Sequence, residues 1–263
     1  MLTYQKVIQN HIREKTNRYK ILHENLYVPY KIFLYFQLNS VLLCINKALF
    51  FKKLGIFLYL LYNIQKQGGP MATLTLNDKY LLIKTSLLKE KELDPIKIIK
   101  NLMNKDFINI HGPEHHFLDG ASFLVALYNN GLNINLEEAL DKLKETTIKM
   151  PGAMCSFWGI CGSVASLGAC LSVIDETGSL SNDVSYSKHM DFTSKLINKM
   201  SKIGGPRCCK RNAFLALSAG VDYAKENYNI NIHIDKFKCD YSPLNKECLH
   251  EKCPFFNKEV VNI

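Results

Sequence analysis

The stretch HGPEHHFLDGASFLVALYNNG, residues 111–131, decides the fold class. Gly112-Pro113 opens it, because proline presets φ and lacks only an N–H that the first helical turn leaves unbonded anyway. Phe117, Ala121, Leu124 and Tyr128 then recur on one side at helical spacing, and Gly131 closes the run. The reading is an apolar helix carrying imidazoles and a carboxylate at its start.

The same pattern repeats to either side. Asp94-Pro95 sets a cap before a first-turn proline, with Ile96, Ile99 and Met103 on one face. Asn135 with Glu138 resembles a capping box ahead of Leu136, Leu140 and Leu143. Phe192, Leu196, Met200 and Ile203 form a stripe stopped by Gly204-Gly205, and a last long helix is expected from about Pro206 to Asn227. Residues 150–174 carry no charge across 25 positions. Small residues and Pro151-Gly152 lower their hydropathy, so they read as a buried central helix, with Gly162, Ser166 and Cys170 on one narrow face. Only residues 107–110 and 230–234 look extended. The predicted class is all-α: a compact multi-helix domain with an irregular, cysteine-rich C-terminal tail.

Net charge is +9, and its distribution matters more than its size. Residues 1–70 hold ten Lys/Arg and two acids, for +8, whereas residues 71–263 hold 23 basic and 22 acidic side chains. A near-neutral domain offers no electrostatic footprint for nucleic acid. Residues 27–65 are rich in Phe, Tyr, Leu and Ile, but their longest uncharged run, residues 32–46, is 15 long. A span needs about 20, so a membrane anchor is not expected. Lys66-Gln67-Gly68-Gly69-Pro70, just ahead of Met71, can be encoded by a purine-rich tract of the kind that binds a bacterial ribosome. Residues 1–70 are therefore expected to be a mis-called or poorly ordered extension, and residues 71–263 the helical Cys/His-rich domain.

Eight of the nine cysteines follow Met71. With no secretory signal at the start of the chain, a reducing, cytoplasmic compartment is expected, where thiols serve as metal ligands or redox groups. Four clusters carry them or their partners. In the first, His111, Glu114, His115 and His116 offer metal ligands or acid/base groups at a helix N-terminus. The second is Cys155-x5-Cys161, a spacing that matches no standard zinc or ferredoxin pattern, while Cys170 reads as core packing. The third is Arg207-Cys208-Cys209-Lys210-Arg211, where three cations and a helix N-terminus are expected to lower a thiol pKa or to hold an anion. Adjacent helical side chains diverge by about 100°, so Cys208 and Cys209 should not share one ion. The fourth is Cys239-x8-Cys248-x4-Cys253-Pro254, in a tail with no evident apolar face, the kind of segment a metal fastens. Three ligands leave one position to be filled by Cys208, Cys209, Cys155 or Cys161.

Taken together, His111 to His116, Phe157-Trp158-Gly159-Ile160-Cys161-Gly162, Gly204 to Arg211 and Cys248…Cys253-Pro254 resemble a cysteine-rich domain-of-unknown-function family of anaerobic prokaryotes. The resemblance covers roughly residues 107–256. It implies an association with S-adenosylmethionine-dependent methyltransferases, to which such domains are attached or after which they are named, and it implies no catalytic residues. The chain itself has no strand, glycine-rich turn and helix for a nucleotide-binding sheet, and no closely spaced three-cysteine radical signature.

The leading expectation is a metal-binding protein, iron–sulfur before zinc, whose cluster joins the tail to the last helix and serves a redox or methyltransferase partner. The alternative is an enzyme with Cys208 or Cys209 as thiolate and His115 or His116 as acid/base. Glu114 would stand beside them, and Arg207, Lys210 and Arg211 would hold an anion. A third reading is a binding module with a structural zinc.

Overall fold

Thr75 starts the first helix by a reciprocal cap: its Oγ1 accepts the Asp78 N–H at 3.2 Å, and Asp78 Oδ2 accepts the Thr75 N–H at 3.0 Å. This opens α1 (Leu76–Leu87) in a computed structural model that describes residues 74–259. The readings of residues 1–70 as an extension and of residues 27–65 as non-spanning lie outside the described residues.

Asp94 Oδ1 accepts the Ile96 N–H at 2.8 Å and starts α2 (Pro95–Met103), as the cap-and-proline signal required. The deciding stretch forms α3 (His115–Asn129), two residues later than its proline, with Phe117, Ala121 and Leu124 fully buried and Tyr128 half out. Asn135 caps α4 (Leu136–Thr147) by accepting the Glu138 N–H. The chain continues through α5 (Met154–Phe157), α6 (Gly162–Ile174), α7 (Val184–Ile203) and α8 (Cys209–Tyr228). Two single 3-10 turns, Ser242–Leu244 and His250–Lys252, interrupt an otherwise irregular tail. Among the described residues there is no strand, and no helix is long and apolar enough to cross a membrane. One isolated parallel bridge joins Cys239 to Phe256, whereas residues 107–110 form turns and residues 230–234 have no regular structure.

The central helix is α3, not residues 150–174. Every residue from His115 to Leu127 is buried, because α3 packs against α1, α2, α4, α6 and α8. Residues 150–174 divide instead into α5 and α6. Ala153 (φ 61°) and Gly159 (φ 67°) take left-handed backbone conformations that break the helical ladder, leaving Phe157 and Trp158 exposed. The narrow face of α6 does what its small residues allow. A Cβ added at Gly120 of α3 would lie 2.6 Å from the Ser166 carbonyl oxygen, and Ser166 Oγ accepts the Gly120 N–H at 2.7 Å. Cys170 is fully buried in the core, as its position predicts.

The start of α8 is three residues later than expected. Cys208 is extended (φ −145°) and caps the helix through its own sulfur, which accepts the Arg211 N–H. The tail also departs from expectation, since it does have an apolar face. Phe237 and Phe255 stack at 5.1 Å, and each meets the Phe214 ring of α8, at 5.2 and 5.5 Å. Tyr241 is 5% exposed, its hydroxyl donating to Asn104 Oδ1 at 3.0 Å. Aromatic packing thus holds the tail before any metal is considered.

Candidate functional site

The irregular backbone of the tail turns three sulfurs back onto the N-terminus of α8. Cys239 Sγ accepts the Tyr241 N–H and Cys248 Sγ the His250 N–H, each at 3.4 Å and each two residues on. Cys208 Sγ accepts the Arg211 N–H at 3.4 Å and lies 3.7 Å from Asn245 Nδ2. Cys208, Cys239, Cys248 and Cys253 line one small cavity, with Lys210, Arg211 and aromatic side chains as further walls. About 20 Å³ of it is open to the centre of a water molecule. Among the described residues, no Asp or Glu lines it, and no group of three His, Cys, Asp or Glu side chains is set in place to hold a metal ion.

Of the four thiols offered for the position left open by the tail, it is Cys208 that lines this cavity. Cys209, the first residue of α8, does not line it. Together with Cys155 and Cys161, it lines a second cavity of about 310 Å³, in whose wall Cys208 also stands. Cys161 Sγ there accepts from Asn212 Nδ2 at 3.1 Å.

The expectation of a lowered thiol pKa is overturned. Burial pushes Cys208 up, Cys209 up to about 12 and Cys239 up to about 11. Arg211 pulls Cys208 the other way, through its N–H and its charge, but does not outweigh burial. Arg207 is exposed, and Lys210 Nζ donates to the Asn109 carbonyl at 3.0 Å. Arg211 Nη2 donates to the carbonyls of Gly204 and Pro206 at 3.1 and 3.3 Å. Where burial outweighs the nearby charge, thiols keep their protons. A bound metal would add positive charge directly.

The histidine cluster is mostly spent on structure. Glu114 is 1% exposed and pairs with Lys79 Nζ at 3.0 Å. Burial raises its pKa, but bonds from the Asn109 and Glu114 N–H groups and from Lys79 outweigh that and hold the carboxyl below its usual range. His111 accepts the Cys209 N–H at Nδ1 (3.4 Å) and reaches Asn245 Oδ1 from Nε2 (3.0 Å). It therefore splices α8 to the tail. His115 lies 3.4 Å from Asp119 Oδ1 through Nδ1 and 3.2 Å from Lys210 through Nε2. Burial pulls Lys210 down to about 8, opposed by Asp119. Only His116, 7% exposed and in the wall of the second cavity, has a ring nitrogen, Nδ1, without a partner.

Asn245 and Asn212, which touch the candidate thiols, carry no signal of their own in the sequence. The nearest is Asn212's place one helical turn beyond Cys208 and Cys209. No curated protein and no solved structure matches the chain. The profile of a protein family described as a "Family of unknown function (DUF5714)" matches residues 83–256, from α1 to the end of the cysteine series. The chain belongs to this family.

Proposed function

We propose that Cys208, Cys239, Cys248 and Cys253 hold an iron–sulfur cluster that ties the tail to α8 and serves a redox partner, or a methyltransferase as the family resemblance implies. One observation carries the reading: four thiols, one at the cap of α8 and three in the tail, line a single cavity. The backbone N–H groups on Cys208, Cys239 and Cys248 suit sulfur ligands, since such bonds stabilise thiolate and tune cluster potential. Lys210 and Arg211 in the wall offset the negative charge that four thiolates bring. The thiolate-enzyme alternative is disfavoured by Cys209 at about 12 and by His115, both of whose ring nitrogens are engaged.

The test is metal and acid-labile sulfide analysis of the full chain purified without oxygen, with a visible spectrum. Iron and sulfide with absorbance near ~400 nm, lost in Cys239→Ser, are expected. Zinc without sulfide would replace the cluster by a structural ion, and the absence of both metals would overturn the proposal.

A further inference from the structure

Arg211 is 4% exposed, and two of its three guanidinium nitrogens are accounted for. Nε donates to Asn212 Oδ1 at 3.1 Å and Nη2 to the Gly204 and Pro206 carbonyls, but Nη1 is buried without a partner. Those partners are neutral, so none of the groups that hydrogen-bond the guanidinium cancels its charge. An uncompensated buried charge is strongly unfavourable, which makes it a place where a counter-ion binds.

Arg211 lines an open cavity of about 610 Å³ between α7, α8 and the loop that carries α5. Arg207, exposed and belonging to the same turn before α8, lines it too, as does Ser156. Among the described residues, no Asp or Glu lines its wall. The volume falls within the roughly 300–1,000 Å³ typical of small-molecule sites. Two guanidinium groups, each a planar fork of donors, match phosphate or carboxylate oxygens in pairs. The cavity also shares Cys155, Cys161, Arg207 and Asn212 with the thiol cavity beside the four-cysteine site.

We infer that this cavity binds a small molecule through an oxyanion group, phosphate or carboxylate, clamped by the Arg207 and Arg211 guanidinium groups that line it, with the rest of the molecule lying along Cys155 and Cys161. The inference does not depend on a metal at the neighbouring site. Arg211 also borders that site, so the experiment must separate an added anion from a metal centre as its counter-charge.

The full chain is titrated with inorganic phosphate, with succinate, and with chloride at matched ionic strength. The thermal midpoint and the fluorescence of Trp158, the only tryptophan and a neighbour of the cavity-lining Gly159, report binding. A saturable response to phosphate or succinate beyond that of chloride is expected, and whichever acts names the ligand class. Arg207→Gln, a surface change, should weaken it about tenfold, the loss of one charge-assisted contact, and Arg211→Gln should abolish it. Cys239→Ser should keep the response whatever its metal content. No response beyond chloride would overturn the inference. So would an affinity unchanged in Arg207→Gln, or a response lost in Cys239→Ser alone, which would make the metal centre Arg211's counter-charge.

Discussion

Asn245 Nδ2 lies 3.7 Å from Cys208 Sγ across 37 residues of chain, while Asn245 Oδ1 takes His111 Nε2 at 3.0 Å. One buried amide thus joins the α8 cap, the histidine cluster and the tail. Asn245→Ala removes these contacts and the bond from the Glu247 N–H at 3.1 Å. Each is worth about 1 kcal/mol, so a loss of roughly 2–3 kcal/mol is expected. Limited proteolysis with mass mapping should show cuts confined to residues 239–256. An uncut tail would show that the aromatic contacts of Phe237 and Phe255 suffice.

The approach of α3 to α6 has no room for a methyl group. Gly120→Ala would push Cβ to 2.6 Å from the Ser166 oxygen, and backbone cannot yield cheaply. Overpacking of this kind costs about 1–3 kcal/mol, readable as a lower urea midpoint at unchanged slope. Gly131→Ala meets nothing within 4 Å, but its φ of 104° strains any side chain. It tests conformation where Gly120 tests space.

At the far end of the bundle, Asp175 Oδ2 accepts from His189 Nε2 at 2.8 Å and from the Tyr228 hydroxyl at 3.1 Å. It pins the end of α6 to α7 and α8. Asp175→Ala leaves both partners unsatisfied, and a cost of about 2–3 kcal/mol is expected. Any metal held by the four cysteines at the opposite end should be unaffected, and its loss in this variant would couple the two ends.

His116 makes stability depend on pH. Burial lowers its pKa, with Asp119 pulling the other way. The folded protein resists a proton that the unfolded chain accepts near pH ~6.5. Its contribution is thus present above that pH and lost on acidification through the lower folded value. Glu114, also lowered, adds a second loss beginning below about pH 4.3. Urea midpoints should fall as the pH drops below ~7. His116→Gln should flatten the upper part of that fall, and an unchanged slope would remove His116 as its source.

The helices at Asp94-Pro95, at Gly112-Pro113 and along the Phe192, Leu196 and Met200 stripe were legible because caps and helical periodicity are local properties of the chain. The break between α5 and α6 was not. It depends on Ala153, a residue without intrinsic preference for left-handed backbone, held at φ 61° by its surroundings. The tail's apolar face was missed for a related reason. Phe237, Tyr241 and Phe255 follow no period, and their partner Phe214 lies on another element.

The cysteine and histidine clusters follow from the sequence alone, since residue type and spacing define them, whereas the helical angle expected between Cys208 and Cys209 does not apply, because Cys208 is extended. Tertiary structure decided which thiol joins Cys239, Cys248 and Cys253, because that depends on where an irregular tail docks. It also reversed the thiol pKa directions and set Arg211 against neutral partners. Both follow from burial, a property of the packed molecule that no stretch of sequence possesses by itself.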